Sequence, residues 1–456
     1  MMRHLTITPL PYHADPGDYF HRLHQRPEAI LLDSGQPDSP SGRYDILSSD
    51  PLAILSVDRR GEVHCPDMPD LASAPLQAQK ELLAWLEIQP PETELPFTGG
   101  LIGYWGYDFA RLLEQLPAHA EDDIGLPLAR LGLYDWALIQ DHQRRESWLI
   151  ADDDRRDEVA TWLATPPPPT PPFHPLAPFV DELPREAYGE RFRRVMDHLQ
   201  HGDCYQINLA RRFSTRYQGD PWQAYRRLRQ TTPMPYAGFW QWHDAHTGGR
   251  QALLSVSPER FLSAHGSRLH TRPIKGTRRR GITLAEDATL ARELQASPKD
   301  LAENVMIVDL LRNDLGRVSR PGSVRVPALA SLESYANVHH LVSVIESELA
   351  SGHHPLDALM AAFPGGSITG APKHQAMTLI ETLEPVRRSA WCGSLGYVDV
   401  RGRLDSSIMI RTAVLDHDRL YLWGGGGLVA DSSEQEEFDE IDAKVGRLMS
   451  ALSTPD

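Results

Sequence analysis

Hydrophobic and polar positions alternate in two different rhythms along this chain. Before residue 165, short apolar runs such as Ala29-Ile30-Leu31-Leu32 and Leu133-Tyr134-Asp135-Trp136-Ala137-Leu138-Ile139 stand between Gly, Pro and Asp turns. They predict strands with a few helices. Beyond residue 178, the stretch 186–201 carries a helical period, and residues 204–213, 252–262, 394–400, 407–415 and 420–423 read as strands. Helices and strands mix without a βαβ alternation and without an internal repeat, which predicts an α+β fold. The segment 165–178 holds Pro166 to Pro169, Pro171, Pro172, Pro175 and Pro178. Its missing N–H groups predict an extended connector between a β-rich part, 1–178, and a second part, 179–456.

Two helices are predicted by their starts. In Ser297-Pro298-Lys299-Asp300 a serine N-cap precedes proline at the first helical position and an acid in the first turn, opening a helix to about residue 313. Asp300 and Glu303 share a face, with Leu301, Val305 and Val308 as the apolar face. Ser433, with Glu436 three residues on, predicts a capped final helix whose buried stripe is Phe438, Ile441, Val445 and Leu448. Glu437, Glu440 and Lys444 occupy another face of it. Two acidic pairs meeting across a cleft would suit magnesium, a hard cation that takes oxygen ligands; the alternative is an exposed acidic face with a Glu440–Lys444 ion pair.

At 456 residues the chain exceeds the size of a usual single core, so two domains or one large composite are expected. The balance of 46 Lys+Arg against 62 Asp+Glu, a net charge of −16, disfavours nucleic acid and favours a small ligand. Cys65, Cys204 and Cys392 are too few and too scattered for a disulfide framework or a CxxC metal site. No apolar run reaches the roughly 18 residues of a membrane span. A cytoplasmic protein without a membrane segment is expected.

Lys275, in Arg272-Pro273-Ile274-Lys275-Gly276-Thr277, is the candidate nucleophile. A lysine amine, protonated at its usual pKa of ~10.4, attacks carbon only where desolvation or nearby cations depress that value, and Arg278, Arg279 and Arg280 follow it. Phe363-Pro364-Gly365-Gly366-Ser367-Ile368-Thr369-Gly370-Ala371-Pro372-Lys373 precedes a helical stretch and offers backbone N–H groups to an anion. It lacks the lysine directly after Gly370 that a nucleotide phosphate loop requires, so a carboxylate is the better ligand. Gly424 to Gly427, following a strand, would let a ligand approach the backbone or equally form a flexible turn, Arg411 could grip a carboxylate, and His340 alone reads more readily as a core or capping residue than as a catalytic one.

Taken together, these segments resemble the chorismate-utilising enzymes. The resemblance is carried by Gly202-Asp203-Cys204-Tyr205-Gln206-Ile207-Asn208-Leu209, Ser257-Pro258-Glu259-Arg260-Phe261, Pro273 to Thr277, Ala302-Glu303-Asn304 with Arg312-Asn313-Asp314, His340-Leu341-Val342-Ser343, Gly366 to Lys373, and Ile410-Arg411-Thr412. It spans the chain. The implied fold has two large antiparallel sheets packed near-orthogonally with helices outside, both parts of the chain sharing the core, so that the proline segment crosses the surface. Lys275 points within the family to the members that form aminodeoxychorismate, in para-aminobenzoate and folate biosynthesis; anthranilate-forming relatives carry alanine there.

The resemblance further implies that Lys275 adds to the chorismate ring while Glu259 protonates the departing hydroxyl, and that ammonia then displaces the lysine. It implies Glu303 and Glu440 as direct magnesium ligands with Asp300 and Glu437 beside them, Arg411, Lys444, Gly425 and Gly427 as carboxylate binders, and His340 and Ser367 near the reacting ring. Cys392 lies in no Gly-x-Cys-x-Gly elbow, so ammonia is expected from a separate glutamine amidotransferase subunit. Leu31-Leu32-Asp33-Ser34 is similar to the element that forms a tryptophan pocket in relatives. The competing expectations are an anthranilate-forming or isochorismate-forming enzyme and a non-catalytic chorismate or tryptophan sensor.

Overall fold

Alternate residues of the apolar runs enter different cores. The computed structural model describes residues 3–39, 41–167, 169–334 and 338–454. In the strand Arg250–Ser257, Leu253 joins the cluster between two sheets while Leu254 joins a cluster under a helical layer. Both faces of that sheet are covered, which is why its strands read as near-continuous apolar runs.

Among the described residues, one sheet has thirteen strands and the other eleven, and every pairing within them is antiparallel. Seven elements bear on the site: β1 (Gln206–Gln218), β2 (Ile274–Arg279), α1 (Pro298–Gly316), β3 (Val338–Glu348), α2 (Lys373–Leu383), β4 (Arg419–Leu428) and α3 (Glu434–Ser453). β1 and β4 pair in the first sheet; β2 and β3 pair at an end of the second. α1 packs on β2 and β3, and α3 packs on β4. The fold is thus α+β, two large antiparallel sheets with helices outside.

Strand pairing crosses residue 178 in both sheets. Phe239 stands opposite Leu31 in the first, and Gly396 opposite Gly103 in the second. The proline segment is tied down beside β1: His174–Pro175 pairs with it, Leu176 N–H donates to the Arg216 carbonyl at 2.7 Å, and Phe173 is buried. Pro168 lies outside the described residues.

Three predicted strands are each two strands. The stretch 133–139 breaks at Asp135-Trp136, 252–262 at Pro258-Glu259, and 407–415 at Met409 to Arg411. Each break is a place where the chain leaves one sheet for the other. An apolar run continues straight through such a corner because both sheets need apolar residues, so hydrophobicity alone conceals it.

Candidate active site

Lys275 owes its direction to a bulge. Ile274 faces Val342 and Thr277 faces His340, so β2 carries one more residue than β3 across this interval. A bulge re-aims side chains and leaves the extra residue unpaired. Gly276 completes it with φ +85°, and a Cβ there would stand 3.0 Å from the Asp300 Cβ. The Lys275 side chain is 13% exposed, with its Nζ 3.9 Å from Glu303 Oε2. Burial holds its pKa below the usual lysine value; Glu303 and Glu259 pull it back up, and Lys444 pushes it down. Arg278, Arg279 and Arg280 turn to Asp300, Glu286 and Asp287, and the largest cause of the Lys275 shift is burial.

Glu259 stands at the corner between Arg250–Ser257 and Arg260–His265, where proline has interrupted the ladder. Its backbone N–H is caught by the Ser257 hydroxyl at 3.2 Å, and Ser367 donates to its Oε1 at 3.1 Å. Burial pushes the carboxyl up to about 7, against the smaller downward pulls of the Lys275 charge and the Ser367 hydrogen bond. A carboxyl of this kind can deliver a proton at neutral pH, and a neighbouring amine held below its ordinary value can attack carbon.

The two acid-bearing helices do face this space. Ser297 caps α1 by accepting from Asp300 N–H, as its sequence predicts. The apolar face of α1 is Ile307, Val308, Leu311 and Leu315, whereas Val305 is 45% exposed, a correction to the predicted stripe. Ile307, Val308, Leu311 and Leu315 recur at the helical spacing of one face, and Val305 lies off it. The Ser433–Glu436 capping box of α3 does not form either: Ser433 makes no side-chain cap bond, and the neighbouring Ser432 hydroxyl instead donates to Glu437 Oε1 at 2.7 Å. Within the predicted stripe, Ile441, Val445 and Leu448 are buried and Phe438 is half-buried.

Glu303 and Glu437 are raised above their usual range, by burial first and then by neighbouring carboxylates, Asp300 and Glu437 acting on Glu303 and Glu440 acting on Glu437. Glu440 is held low: burial opposes this, but Lys444 and then Lys299 and Lys275 prevail. Lysines thread the cluster. Lys299 Nζ lies 3.9 Å from Glu437 Oε1, and Lys444 bonds Glu440 at 2.7 Å. The Glu440–Lys444 ion pair read as the alternative is therefore present. The four carboxylates offer oxygen atoms of the kind a hard divalent cation takes, but no three of them bring ligand atoms within 4.8 Å of one another. Among the described residues the trio whose ligand atoms lie within 4.8 Å of one another is a different one, Asp58, Glu62 and His64, all partly or fully exposed.

Gly424 to Gly427 do not follow a strand; they continue it, inside β4. The reason for glycine is the side chains lying over them. A Cβ on Gly425 would stand 2.7 Å from Asn208 Oδ1, and one on Gly427 would stand 2.0 Å from Gln206 Nε2. Lys444 donates to the Gly425 carbonyl at 3.0 Å. Arg411 occupies the second sheet corner in the left-handed region, φ +51°, and burial followed by Arg447 lowers its pKa. Its Nη1 reaches Met234 Sδ at 3.7 Å, and no described carboxylate forms an ion pair with it.

His340 pairs Nδ1 with the Thr277 hydroxyl at 2.8 Å across β2 and β3, and burial lowers its pKa while a backbone hydrogen bond with Gly276 offsets part of that. Ser367 lies in a short 3-10 turn, Gly366–Ile368, before Gly370–Ala371 pairs with β1. At the following helix Pro372 occupies the N-cap, and the Lys373 ammonium is committed to Asp314 at 2.6 Å and the Ala362 carbonyl at 2.7 Å.

Ser34 is buried and bonds Asp45 through both N–H and hydroxyl. It stands next to Asp33, which with Leu32, Tyr44, Pro235 and Tyr236 lines a cavity of about 150 Å³.

Two residues went unselected in the sequence reading. Gln206 and Asn208 are buried with side-chain carbonyls that have no hydrogen-bond partner among the described residues, beside the glycines of β4. Their signal was the alternation Gln206-Ile207-Asn208-Leu209, which puts two amides on one strand face.

The family model for chorismate binding enzymes matches residues 29–450. The chain therefore belongs to the chorismate binding enzymes. It is 45% identical over 453 residues to aminodeoxychorismate synthase component 1 from Klebsiella aerogenes, covering 98% of each chain. It is 33% identical to anthranilate synthase component 1 from Bacillus caldotenax, over 94% of this chain and 89% of the relative. Among solved structures it resembles anthranilate synthase component I from Streptococcus pneumoniae, with a TM-score of 0.78, 30% identity, and coverage of 90% of this chain and 93% of that one.

Proposed function

We propose that this chain converts chorismate and ammonia to 4-amino-4-deoxychorismate, in para-aminobenzoate and folate biosynthesis, through a covalent adduct on Lys275. The observation that carries this reading is a depressed lysine amine sharing one buried site with Glu259, a carboxyl raised to about 7. The 45% identity to a relative named aminodeoxychorismate synthase component 1 supports it. The neutral Lys275 amine adds to the ring at the diene carbon next to the one that bears the enolpyruvyl ether, both ring double bonds shift, and the hydroxyl leaves with the proton held by Glu259. Ammonia then attacks the carbon that lost the hydroxyl, both double bonds return, and the lysine amine departs. No pyruvate is released.

Arg411 and Lys444 hold substrate carboxylates, with the N–H groups at Gly425 and Gly427; Ser367 and His340 border the ring. Asp300, Glu303, Glu437 and Glu440 would hold magnesium, which when bound supplies positive charge to the ring carboxylate. Chelation is expected to abolish turnover, with recovery on adding magnesium; full activity after exhaustive chelation would remove the ion from the scheme.

The ammonia comes from a separate glutamine amidotransferase subunit, a reading supported by the words "component 1" in the relative's name. Mass spectrometry of the products from chorismate, magnesium and ammonium tests the assignment. An amino-substituted product that retains the enolpyruvyl group is expected, and glutamine should replace ammonium only when the partner is added. Anthranilate as the product would move the chain to the other branch.

The cavity beside Ser34 is proposed to take tryptophan, its Tyr44 and Tyr236 rings and Pro235 offering an apolar slot. Calorimetric titration is expected to show one site per chain; no heat with protein freed of bound tryptophan would end that idea. Three free, buried cysteines support a reducing compartment, the cytoplasm.

A further inference from the structure

Arg388 is 1% exposed, among the largest fully buried side chains of the protein. It lies just beyond α2, with its guanidinium between the rings of Tyr107, 4.8 Å away, and Trp391, 5.3 Å away. Its donors go to three segments. Nε and Nη2 grip Glu384 at 2.9 and 2.6 Å, Nη1 donates to the Ile368 carbonyl at 2.7 Å, and Nη2 donates to the Asn208 carbonyl at 2.9 Å. Glu384 in turn accepts the Ala210 N–H of β1 at 2.9 Å.

We propose that Arg388 is a positioning residue for the reaction, clamping the turn that carries Ser367 onto β1 so that Ser367 keeps its hydrogen bond to Glu259. This rests on Glu259 acting as the acid in the reading above.

The placement of the bonds argues for this role over a purely stabilising one. A buried ion pair adds little to stability compared with apolar side chains of the same volume. Here two of the four guanidinium bonds go outside the pair, to carbonyls adjoining site residues: Ile368 follows Ser367, and Asn208 lies against Gly425. Only a planar fork reaches both carbonyls and the carboxylate together, which an ammonium cannot do. The C-terminal side of the turn has its own ties to β1, since Asn208 N–H donates to the Thr369 carbonyl and Gly370–Ala371 pairs with Gln206 and Ile207. Loss of Arg388 therefore loosens the Ser367 side in particular.

The test is Arg388→Lys, which keeps a cation against Glu384 but not the fork. Turnover should fall about 10- to 100-fold, as small misplacements at a reacting centre do, with the chorismate KM little changed. Among the described residues, Lys275 and Ser367 act on Glu259, the Cys392 thiol feels its charge, and Thr271 and Arg260 line the same small cavity. Since the Ser367 bond lowers the Glu259 pKa, the knee of the pH–rate profile near 7 should move upward, as in Ser367→Ala. The double variant R388K/S367A should be no slower than S367A. An unmoved knee, losses that multiply in the double variant, or undiminished turnover overturns the proposal. Should Arg388→Lys fold poorly, Arg388→Met with Glu384→Gln removes the pair together and is read by the same knee. Wild type that turns chorismate into a different product would overturn the assigned reaction, while the variant-to-wild-type comparison would still judge the clamp.

Discussion

Lys275→Ala is expected to lose aminodeoxychorismate formation by about 1000-fold or more, the scale on which removing a covalent nucleophile acts. The amine stands 3.9 Å from Glu303 and within the electrostatic reach of Glu259. Lys444, which contributes to its lowered pKa, is committed to Glu440 and the Gly425 carbonyl. Rapid quenching of wild type with chorismate should reveal a chorismate-derived adduct by intact mass, mapped to the Lys275 peptide and absent from the variant. A variant with undiminished turnover, or an adduct on another residue, would overturn covalent catalysis by Lys275. The variant should still bind chorismate, because Arg411 and the acid helices are left in place.

Glu259→Gln is expected to be both far slower and more stable. Loss of a general acid typically costs 10²- to 10⁴-fold in rate, and glutamine keeps the shape and the bond from Ser367 while it cannot release a proton. The stability effect follows from linkage. A carboxyl raised from 4.5 to about 7 on folding binds its proton more tightly in the native state. Its contribution to stability is therefore complete below the unfolded value and is lost as pH rises through about 7. The full loss is at most about 3 kcal/mol, which glutamine avoids. Urea unfolding should show the variant close to wild type at pH 5 and clearly more stable at pH 8. A difference that stays constant with pH would mean that Glu259 is not perturbed by burial. Activity and stability thus oppose each other at one residue, as expected where an acid is kept ready by an apolar site.

The chemistry was more legible in the sequence than the architecture. Lys275 and Glu259 were identifiable from short segments, and the start of α1 was readable from Ser297-Pro298 because capping is local chemistry. The acids of α3 stand out in the sequence, but the hydrogen bond at its start does not: Ser432 and Ser433 are chemically equivalent donors, and only the path of the chain from β4 decides which one meets Glu437. The glycines of β4 stand out in the sequence but read as following the strand, since a glycine run carries no mark of the Gln206 and Asn208 side chains that require it.

By itself, then, the sequence determined whatever depends on residue type and on neighbours a few positions away: the α+β class, the helix starts and the family's motifs. Tertiary structure alone decided where apolar runs turn from one sheet to the other, and those corners place Glu259 and Arg411. It also decided that burial, the largest cause, and Lys444 depress Lys275 while the adjacent arginines pair with acids, and that Arg388 spans Ile368, Glu384 and Asn208. Hydrophobic pattern records how buried a residue is but not which surface covers it, and a pKa is set by charges and desolvation in space, where residues distant along the chain become nearest neighbours.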